Sequence, residues 1–269
     1  MHGKVVIITG ASSGIGKALA YVLAQKQCKL VLAARSLDQL EELQAELAAK
    51  GTEVLVVKTD VALEADCQQL IEATLAKFGR IDVLINNAGI SMRALFEDAS
   101  LDVIRKLMDV NFWGTVYCSK YALPWLLKTQ GSLVGVISIA GYIGLPGRTG
   151  YSASKFAVRG FLDTLRVENL KKGLHVLVAA PGFTSSNIRN TALQADGSMQ
   201  GHSPRNEAKM MSAEAVAMAI AHAIEKRKRS LILTFTEGKL TVFLSKWLPS
   251  LLDKLSYNHM AKEPDSPFK

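Results

Sequence analysis

Tyr151 and Lys155, four residues apart, are the side chains of this chain best suited to moving a proton. If Tyr151 opens a helix, both lie on one face, one turn apart. A phenol is a poor acid–base group at its ordinary pKa of about 10. A fixed ammonium beside it stabilises the phenolate and draws that value toward neutrality. Ser138 stands upstream, closing the apolar run Val134-Gly135-Val136-Ile137. A hydroxyl there can hold a substrate oxygen by hydrogen bond. Carbonyl reduction needs this set: one group to orient the oxygen, one to protonate it and one to tune the proton donor. Y-x-x-x-K also arises by accident on helices, so the pair needs support from the rest of the chain.

The surrounding elements must bring these residues together. Lys4–Thr9 is a short β-branched run, followed by a glycine-rich turn and a helical pattern over Ile15–Gln27. Strand-like runs recur at Lys29–Ala33, Glu53–Lys58, Ile81–Asn86, Ser132–Ser138, Leu174–Ala179 and Ser230–Phe235. Helical patterns lie between them at Leu37–Lys50, Glu64–Phe78, Leu101–Leu127, Ser152–Lys172 and Ala213–Lys226. Gly51, Gly79 and Gly173 are stops, and Pro124 is expected to bend its helix. Alternating strands and helices specify an α/β fold, a parallel sheet covered on both faces with right-handed crossovers. Phe183–Ser212 breaks the rhythm. A long loop after a strand's C-terminal end is expected to be a lid.

The glycine turn is the second chemical feature. Thr9-Gly10-Ala11-Ser12-Ser13-Gly14-Ile15-Gly16 joins the first strand to the first helix. Gly10 permits the tight turn, Gly14 lets backbone approach a pyrophosphate, and Gly16 allows close helix–strand packing. Free N–H groups at the helix start, from Ile15 onward, face the anion. The second strand runs out into Arg35-Ser36, where an acid would grip the ribose 2′-OH of NAD. A guanidinium instead suits a 2′-phosphate, and Ser12, Ser13 and Ser36 add hydroxyl donors, so NADP(H) is expected over NAD(H). Asp60 and Val61 end the third strand. The Asp60 carboxylate serves either the adenine amino group or an ordinary helix cap. Asn86-Asn87-Ala88-Gly89 ends the fourth strand with small residues that leave room for adenine and ribose. Pro181-Gly182 turns the chain under the nicotinamide, with Thr184 and Ser186 available to its carboxamide. Asn111 falls inside a helical pattern, a poor place for Asn; either a water held near Lys155 or a satisfied structural amide accounts for it.

Length and composition set outer bounds. With 269 residues, 49% of them hydrophobic, the chain can bury the core of one sizeable domain. The formal net charge of +8 suits an anionic cofactor, an anionic membrane or mere solubility. No basic run interleaves with aromatics as in a nucleic-acid reader, so none is expected as a partner. Cys28, Cys67 and Cys118 are scattered without metal or disulfide spacing, which fits a reducing cytoplasm and no metal site. The N-terminus enters a strand by Val5 without the order of a signal peptide, and no apolar run reaches the ~20 residues of a membrane span.

Taken together, these residues resemble the short-chain dehydrogenase/reductase family. The ordered set is T-G-x-x-x-G-x-G at Thr9–Gly16, Asp60, N-N-A-G at Asn86–Gly89, Asn111, Ser138, Y-x-x-x-K at Tyr151–Lys155 and P-G at Pro181. It spans roughly residues 3 to 190. The resemblance implies a single Rossmann domain with a seven-stranded doubly wound sheet, and a homodimer or homotetramer. It implies that Tyr151 is the proton donor and that Ser138 binds the carbonyl oxygen. Lys155 would bind the nicotinamide ribose and lower the Tyr151 pKa, and Asn111 would hold a water linking Lys155 to solvent. The family often has Thr where this chain has Ser186.

The C-terminal end carries a further signal. Residues 1–236 make the catalytic domain, with 183–212 as its lid. Residues 237–258 read as one amphipathic helix, kinked at Pro249, and 259–269 as a tail disordered from Pro264 on. Leu240, Phe243, Leu244, Trp247, Leu248, Leu251, Leu252 and Leu255 form its apolar face, interrupted by Lys239, Lys246, Asp253 and Lys254. Such a helix covers the substrate pocket, makes a subunit contact, or lies on a membrane surface beside the basic Lys226–Arg229 patch. This tail is similar to those of family members that reduce lipid-like ketones, among them the acyl/alkyl-dihydroxyacetone-phosphate, 3-ketosphinganine and 11β-hydroxysteroid enzymes. The reading is a cytoplasmic NADP(H)-dependent oxidoreductase acting on a hydrophobic ketone or alcohol, with peripheral contact at a membrane surface as one use of the C-terminal helix. The alternatives are a catalytically silent NADP(H)-binding sensor or scaffold, and a lyase or epimerase on the same fold.

Overall fold

The computed structural model describes residues 1–185, 188–201, 210–262 and 266–268. Its strands are β1 (Val5–Thr9), β2 (Lys29–Ala34), β3 (Val54–Lys58), β4 (Val83–Asn86), β5 (Ser132–Val136), β6 (His175–Ala180) and β7 (Ser230–Ile232). They form one seven-stranded sheet in the order β3-β2-β1-β4-β5-β6-β7. Every pair is parallel. The helices are α1 (Gly14–Gln25), α2 (Leu37–Ala48), α3 (Glu64–Phe78), α4 (Leu101–Leu107), α5 (Gly114–Lys128), α6 (Thr149–Glu168), α7 (Ala213–Glu225), α8 (Thr241–Trp247) and α9 (Pro249–Ala261).

The central strands β1, β2, β4, β5 and β6 are buried on both faces, as a sheet with crossover helices on each side requires, while the edge strands β3 and β7 are partly exposed. Alternate residues of β1 enter different cores. Val6 and Ile8 pack with α1, α2 and α7, whereas Val5 and Ile7 pack with α3, α5 and α6. At the N-terminal edge, Asp82 clasps β1 to β4. Its carboxylate accepts from Val5 N at 3.0 Å, Lys4 Nζ at 3.1 Å and Arg80 Nη2 at 2.7 Å. Burial alone would push that acid up; the Arg80 guanidinium, the Val5 N–H and the Lys4 ammonium outweigh it and hold it low.

Three elements differ from the pattern in the sequence. The helix expected over Leu101–Leu127 is interrupted not at Pro124, which α5 carries, but by a π-helical segment at Met108–Trp113. The last strand stops at Ile232 instead of Phe235, because Thr234 adopts φ 65° and the chain winds into a second π-helical segment, Phe235–Leu240. The C-terminal stretch is two helices. Leu248 leaves helical geometry, and Pro249, lacking an N–H, starts a new helix at its favoured first position. This helix continues to Ala261, beyond the expected end at 258. Beyond it, the ring of Phe268 stacks on Tyr257 at 4.6 Å between centroids. Pro264, Asp265 and Lys269 lie outside the described residues.

Candidate active site

Because all strands run parallel, the loops that follow them open at one edge of the sheet. The order reverses between β1 and β4, and a crevice at such a switch point is where ligands bind. A cavity of about 480 Å³ opens there. At one end it is lined by Gly10, Ser12, Ser13, Gly14, Ile15, Arg35, Ser36, Asp60 and Val61. Toward the other end come Asn87, Ala88, Gly89, Ser138, Tyr151, Lys155, Pro181, Gly182 and Thr184. Of the expected site residues, Gly16 and Asn111 stand behind this lining and Ser186 lies outside the described residues.

The glycine turn is shaped for a close approach. Gly10 and Gly14 have φ of 65° and 51°, left-handed values that a side chain would strain. Gly16 is needed for space, since a Cβ there would sit 2.0 Å from the Gly10 carbonyl oxygen. The turn is held against β4 by amides and hydroxyls. Asn87 Nδ2 donates to Thr9 O at 3.0 Å and Gly10 O at 3.2 Å, while Thr9 Oγ1 accepts from Asn87 N and Ala88 N, each at 3.0 Å. A cradle of bare backbone at the start of α1, with Ser12, Ser13, Arg35 and Ser36 around it, fits the pyrophosphate and ribose of a dinucleotide. Asp60 performs the local role of an Asx turn, accepting from Ala62 N at 3.1 Å, while also facing the cavity.

At the other end, α6 begins at Thr149 and carries Tyr151 and Lys155 on one buried face. The Lys155 ammonium lies 5.8 Å from the centre of the Tyr151 ring and donates to Val136 O at 3.1 Å. β5 ends at Val136, so Ser138 falls just past it and opens a 3-10 turn, accepting from Ala140 N at 3.2 Å. Asn111 sits inside the π-helical segment. Its Oδ1 accepts from Ile90 N at 2.9 Å, and its Nδ2 donates to Ile90 O at 3.0 Å and Ser154 Oγ at 2.9 Å. The amide therefore clamps the peptide after Gly89 to α6. π-Helical turns concentrate at functional sites, and here the wider turn sets this amide facing β4. A Cβ at Gly89 would stand 3.0 Å from Asn111 Oδ1 and 3.2 Å from Lys155 Nζ, which explains a glycine there without any unusual φ.

The electrostatics correct one expectation. Tyr151 is raised above its ordinary pKa, not lowered. Burial is the dominant cause, and the neighbouring Ser138 hydroxyl and Arg148 guanidinium only partly oppose it. Burial also lowers Lys155 to about 8. Its ammonium is turned toward the Val136 carbonyl, so the helix pair alone does not make the phenol acidic.

Arg148 is the main feature that sequence reasoning missed. It caps α6 three residues before Tyr151, is only 8% exposed, and lines the cavity. Its Nη1 donates to Ser91 Oγ at 2.9 Å and Met92 O at 3.1 Å. The available signal was its spacing, one turn ahead of the phenol on the same helix face. Ser91 was missed as well, whereas Leu193 lies within the stretch 183–212 expected as a lid. The described part of that stretch is stitched to the loop after β4 through them: Leu193 N donates to Ser91 O and Arg93 N to Leu193 O, both at 2.8 Å.

Comparison with known proteins agrees with this geometry. Residues 4–197 match the family model described as short chain dehydrogenase. The chain belongs to that family, whose members are oxidoreductases acting on CH–OH and C=O groups. It is 37% identical to dehydrogenase/reductase SDR family member 7B of Mus musculus over 99% of this chain and 84% of that protein. It is 41% identical to 11-beta-hydroxysteroid dehydrogenase-like 4A of Arabidopsis thaliana over 73% of this chain and 66% of the other. Among solved structures, an alcohol dehydrogenase from Thermococcus sibiricus complexed with 5-hydroxy-NADP superposes with a TM-score of 0.76 at 27% identity, covering 86% of this chain and 96% of that one. A short chain dehydrogenase/reductase from Burkholderia phymatum in complex with NAD gives 0.77 at 28% identity, covering 86% and 88%.

The depressed Lys155 value has a consequence for stability. With a folded value near 8 against an ordinary 10.5, protonated Lys155 opposes folding fully below pH 8, progressively less up to 10.5, and not above. Relative to Lys155→Met, the wild type should gain about 2–3 kcal/mol between pH 8 and 10.5, read from urea unfolding at several pH values. A flat difference would contradict a buried ammonium.

Proposed function

We propose that this protein is an NADP(H)-dependent oxidoreductase that interconverts a hydrophobic ketone and a secondary alcohol. The observation that carries the reading is one continuous cavity running from the glycine turn and Arg35 to Ser138, Tyr151 and Lys155. When bound, the dinucleotide supplies or accepts the hydride at the substrate carbon. In the direction of reduction, Ser138 donates a hydrogen bond to the carbonyl oxygen and Tyr151 passes its proton to that oxygen. Burial keeps the phenol protonated and ready to give. Lys155 supplies the positive charge that stabilises the phenolate as it forms, and holds the nicotinamide ribose. Asn111 fixes the Gly89–Ile90 backbone and holds the water that returns a proton through Lys155. Ile90, Val110, Leu145, Phe183, Leu193 and Met199 give the substrate end an apolar lining.

NADP(H) is preferred because Arg35 stands exposed on the cavity wall beside Ser36, with no hydrogen-bond or ion-pair partner among the described residues. The structural neighbours bind one nicotinamide cofactor or the other, so the choice rests on this chain's own cation. Arg35→Ala should raise the KM for NADPH about 10–100-fold and leave NADH within a few-fold, since charge-assisted bonds to phosphate are worth about 1.5–3 kcal/mol. Equal losses for both would remove the phosphate role.

The protein is assigned to the cytoplasm, held peripherally at a membrane surface by its C-terminal helices. No helix among the described residues is long and apolar enough to cross a membrane. Yet Phe235, Phe243, Trp247, Leu248, Leu251 and Leu255 are all exposed on or beside α8 and α9, flanked by Lys239, Lys246 and Lys254. Self-association as a homodimer or homotetramer is proposed through other exposed apolar residues, Trp113 just before α5 and Phe156 within α6, and light scattering reads the mass. The wild type should co-sediment with anionic vesicles, and Phe243→Glu with Trp247→Glu should cut the bound fraction about 10-fold. A wild type that stays in solution would defeat the membrane assignment.

A further inference from the structure

Thr234 carries two costs at one position. Its φ of 65° and ψ of 151° fall where glycine is at ease and a β-branched residue is strained. Its hydroxyl is buried and has no hydrogen-bond partner among the described residues. Such a group opposes folding, because it has given up water and gained no bond in return. Valine has nearly the same outline and would bring no hydroxyl to be left unpaired. Strained backbone and unpaired buried polar groups persist only where the surroundings hold them, and they cluster beside functional sites.

The surroundings of Thr234 lead to the cavity. β6 ends at Ala180, and the Pro181-Gly182 turn that follows is held from both sides. On one side Ile139 N, next to Ser138, donates to Pro181 O at 3.3 Å. On the other, Leu233 N donates to Ala180 O at 3.2 Å, and the chain then kinks at Thr234. The kink is fixed by Lys239 N, which donates to Thr234 O at 3.3 Å, and by Gly238, where a Cβ would stand 2.1 Å from Leu233 O. The Thr234 side chain thereby backs onto Gly182: a Cβ there would meet Thr234 Oγ1 at 3.0 Å and Thr234 Cγ2 at 3.4 Å. Pro181 and Gly182 line the cavity, and Thr234 stands behind them.

We propose that Thr234 is a positioning residue for the nicotinamide end of the cofactor: its hydroxyl bonds the backbone of the Pro181-Gly182 turn when the nicotinamide seats against that turn. The strained φ keeps the side chain aimed at Gly182. The unpaired hydroxyl makes the free protein less stable, and cofactor binding removes that penalty. This rests on the oxidoreductase reading above, which sets the nicotinamide at Pro181-Gly182, and adds to it a residue that does not touch the ligand.

The test compares Thr234→Val and Thr234→Ser with the wild type in the full chain, using whichever of NADPH and NADH binds more tightly. Val keeps the shape and the strained φ and loses only the hydroxyl, whereas Ser keeps the hydroxyl. Thr234→Val should unfold no earlier than the wild type on heating, since the unpaired group is gone. It should nevertheless bind the cofactor about 3–10-fold more weakly by fluorescence titration, the range of one hydrogen bond. Thr234→Ser should stay within about twofold of the wild type. The matching nicotinamide-free fragment, 2′-phospho-ADP-ribose or ADP-ribose, should bind all three proteins alike by calorimetry. Equal cofactor affinity in the wild type and Thr234→Val would overturn the proposal. So would an equal loss for cofactor and fragment, or a loss of binding that follows a loss of stability, either of which would make Thr234 purely structural. A wild type that binds the cofactor and turns over no ketone or alcohol would remove the oxidoreductase reading, while the affinities would still decide the role of Thr234. If the wild type binds neither dinucleotide, both readings fall.

Discussion

The constraint on which this structure depends is the removal of an ammonium and a phenol from water side by side. Lys155 and Tyr151 are both buried, and burial moves the phenol up and the amine down. Neither shift is free, and the neighbourhood limits the cost. The Val136 carbonyl accepts from the ammonium, and Ser138 and Arg148 partly offset the rise at the phenol. The amide of Asn111 and the missing side chain of Gly89 leave room for the lysine head. A group held in this way responds strongly to any charge that develops beside it, because a site with little water screens poorly.

The sheet supplies the geometry. Parallel strands end at one edge, so residues far apart in sequence meet there: Gly10 after β1, Arg35 after β2, Asp60 after β3, Asn87 after β4, Ser138 after β5 and Pro181 after β6. The two apolar cores fix the strands, and the Asp82 clasp ties β1 to β4 at the opposite edge. The cavity lies across the point where the strand order reverses. The segment after β6 docks on the loop after β4 by backbone bonds at Leu193, and Arg148 holds that same loop to the helix of Tyr151. One buried side chain thus links α6 to the loop on which the segment after β6 rests.

Much of this was legible in the residues because local chemistry dictated it. The alternation of β-branched runs with helical patterns gave the sheet, and Gly10, Gly14 and Gly16 could be read as turn, approach and packing. What could not be read depended on tertiary surroundings. The π-helical turn around Asn111 is set by backbone hydrogen bonding and has no distinctive residue types, so in the sequence it looks like part of an ordinary helix. The rise of the Tyr151 pKa follows from how deeply the phenol is buried, and spacing to Lys155 carries no depth. The break at Thr234 lies beside Gly182, where a Cβ would stand 3.0 Å from Thr234 Oγ1. The contacts of Arg148 with Ser91 and Met92 exist only once the loop after β4 folds against it.

The most direct measurement concerns the phenol oxygen. With NADPH and a ketone that the wild type reduces, Tyr151→Phe should lose about three orders of magnitude in kcat, a loss in the range general-acid catalysis supplies, while NADPH fluorescence shows binding within a few-fold. A Tyr151→Phe enzyme that turns the ketone over at near the wild-type rate would contradict the account at its centre.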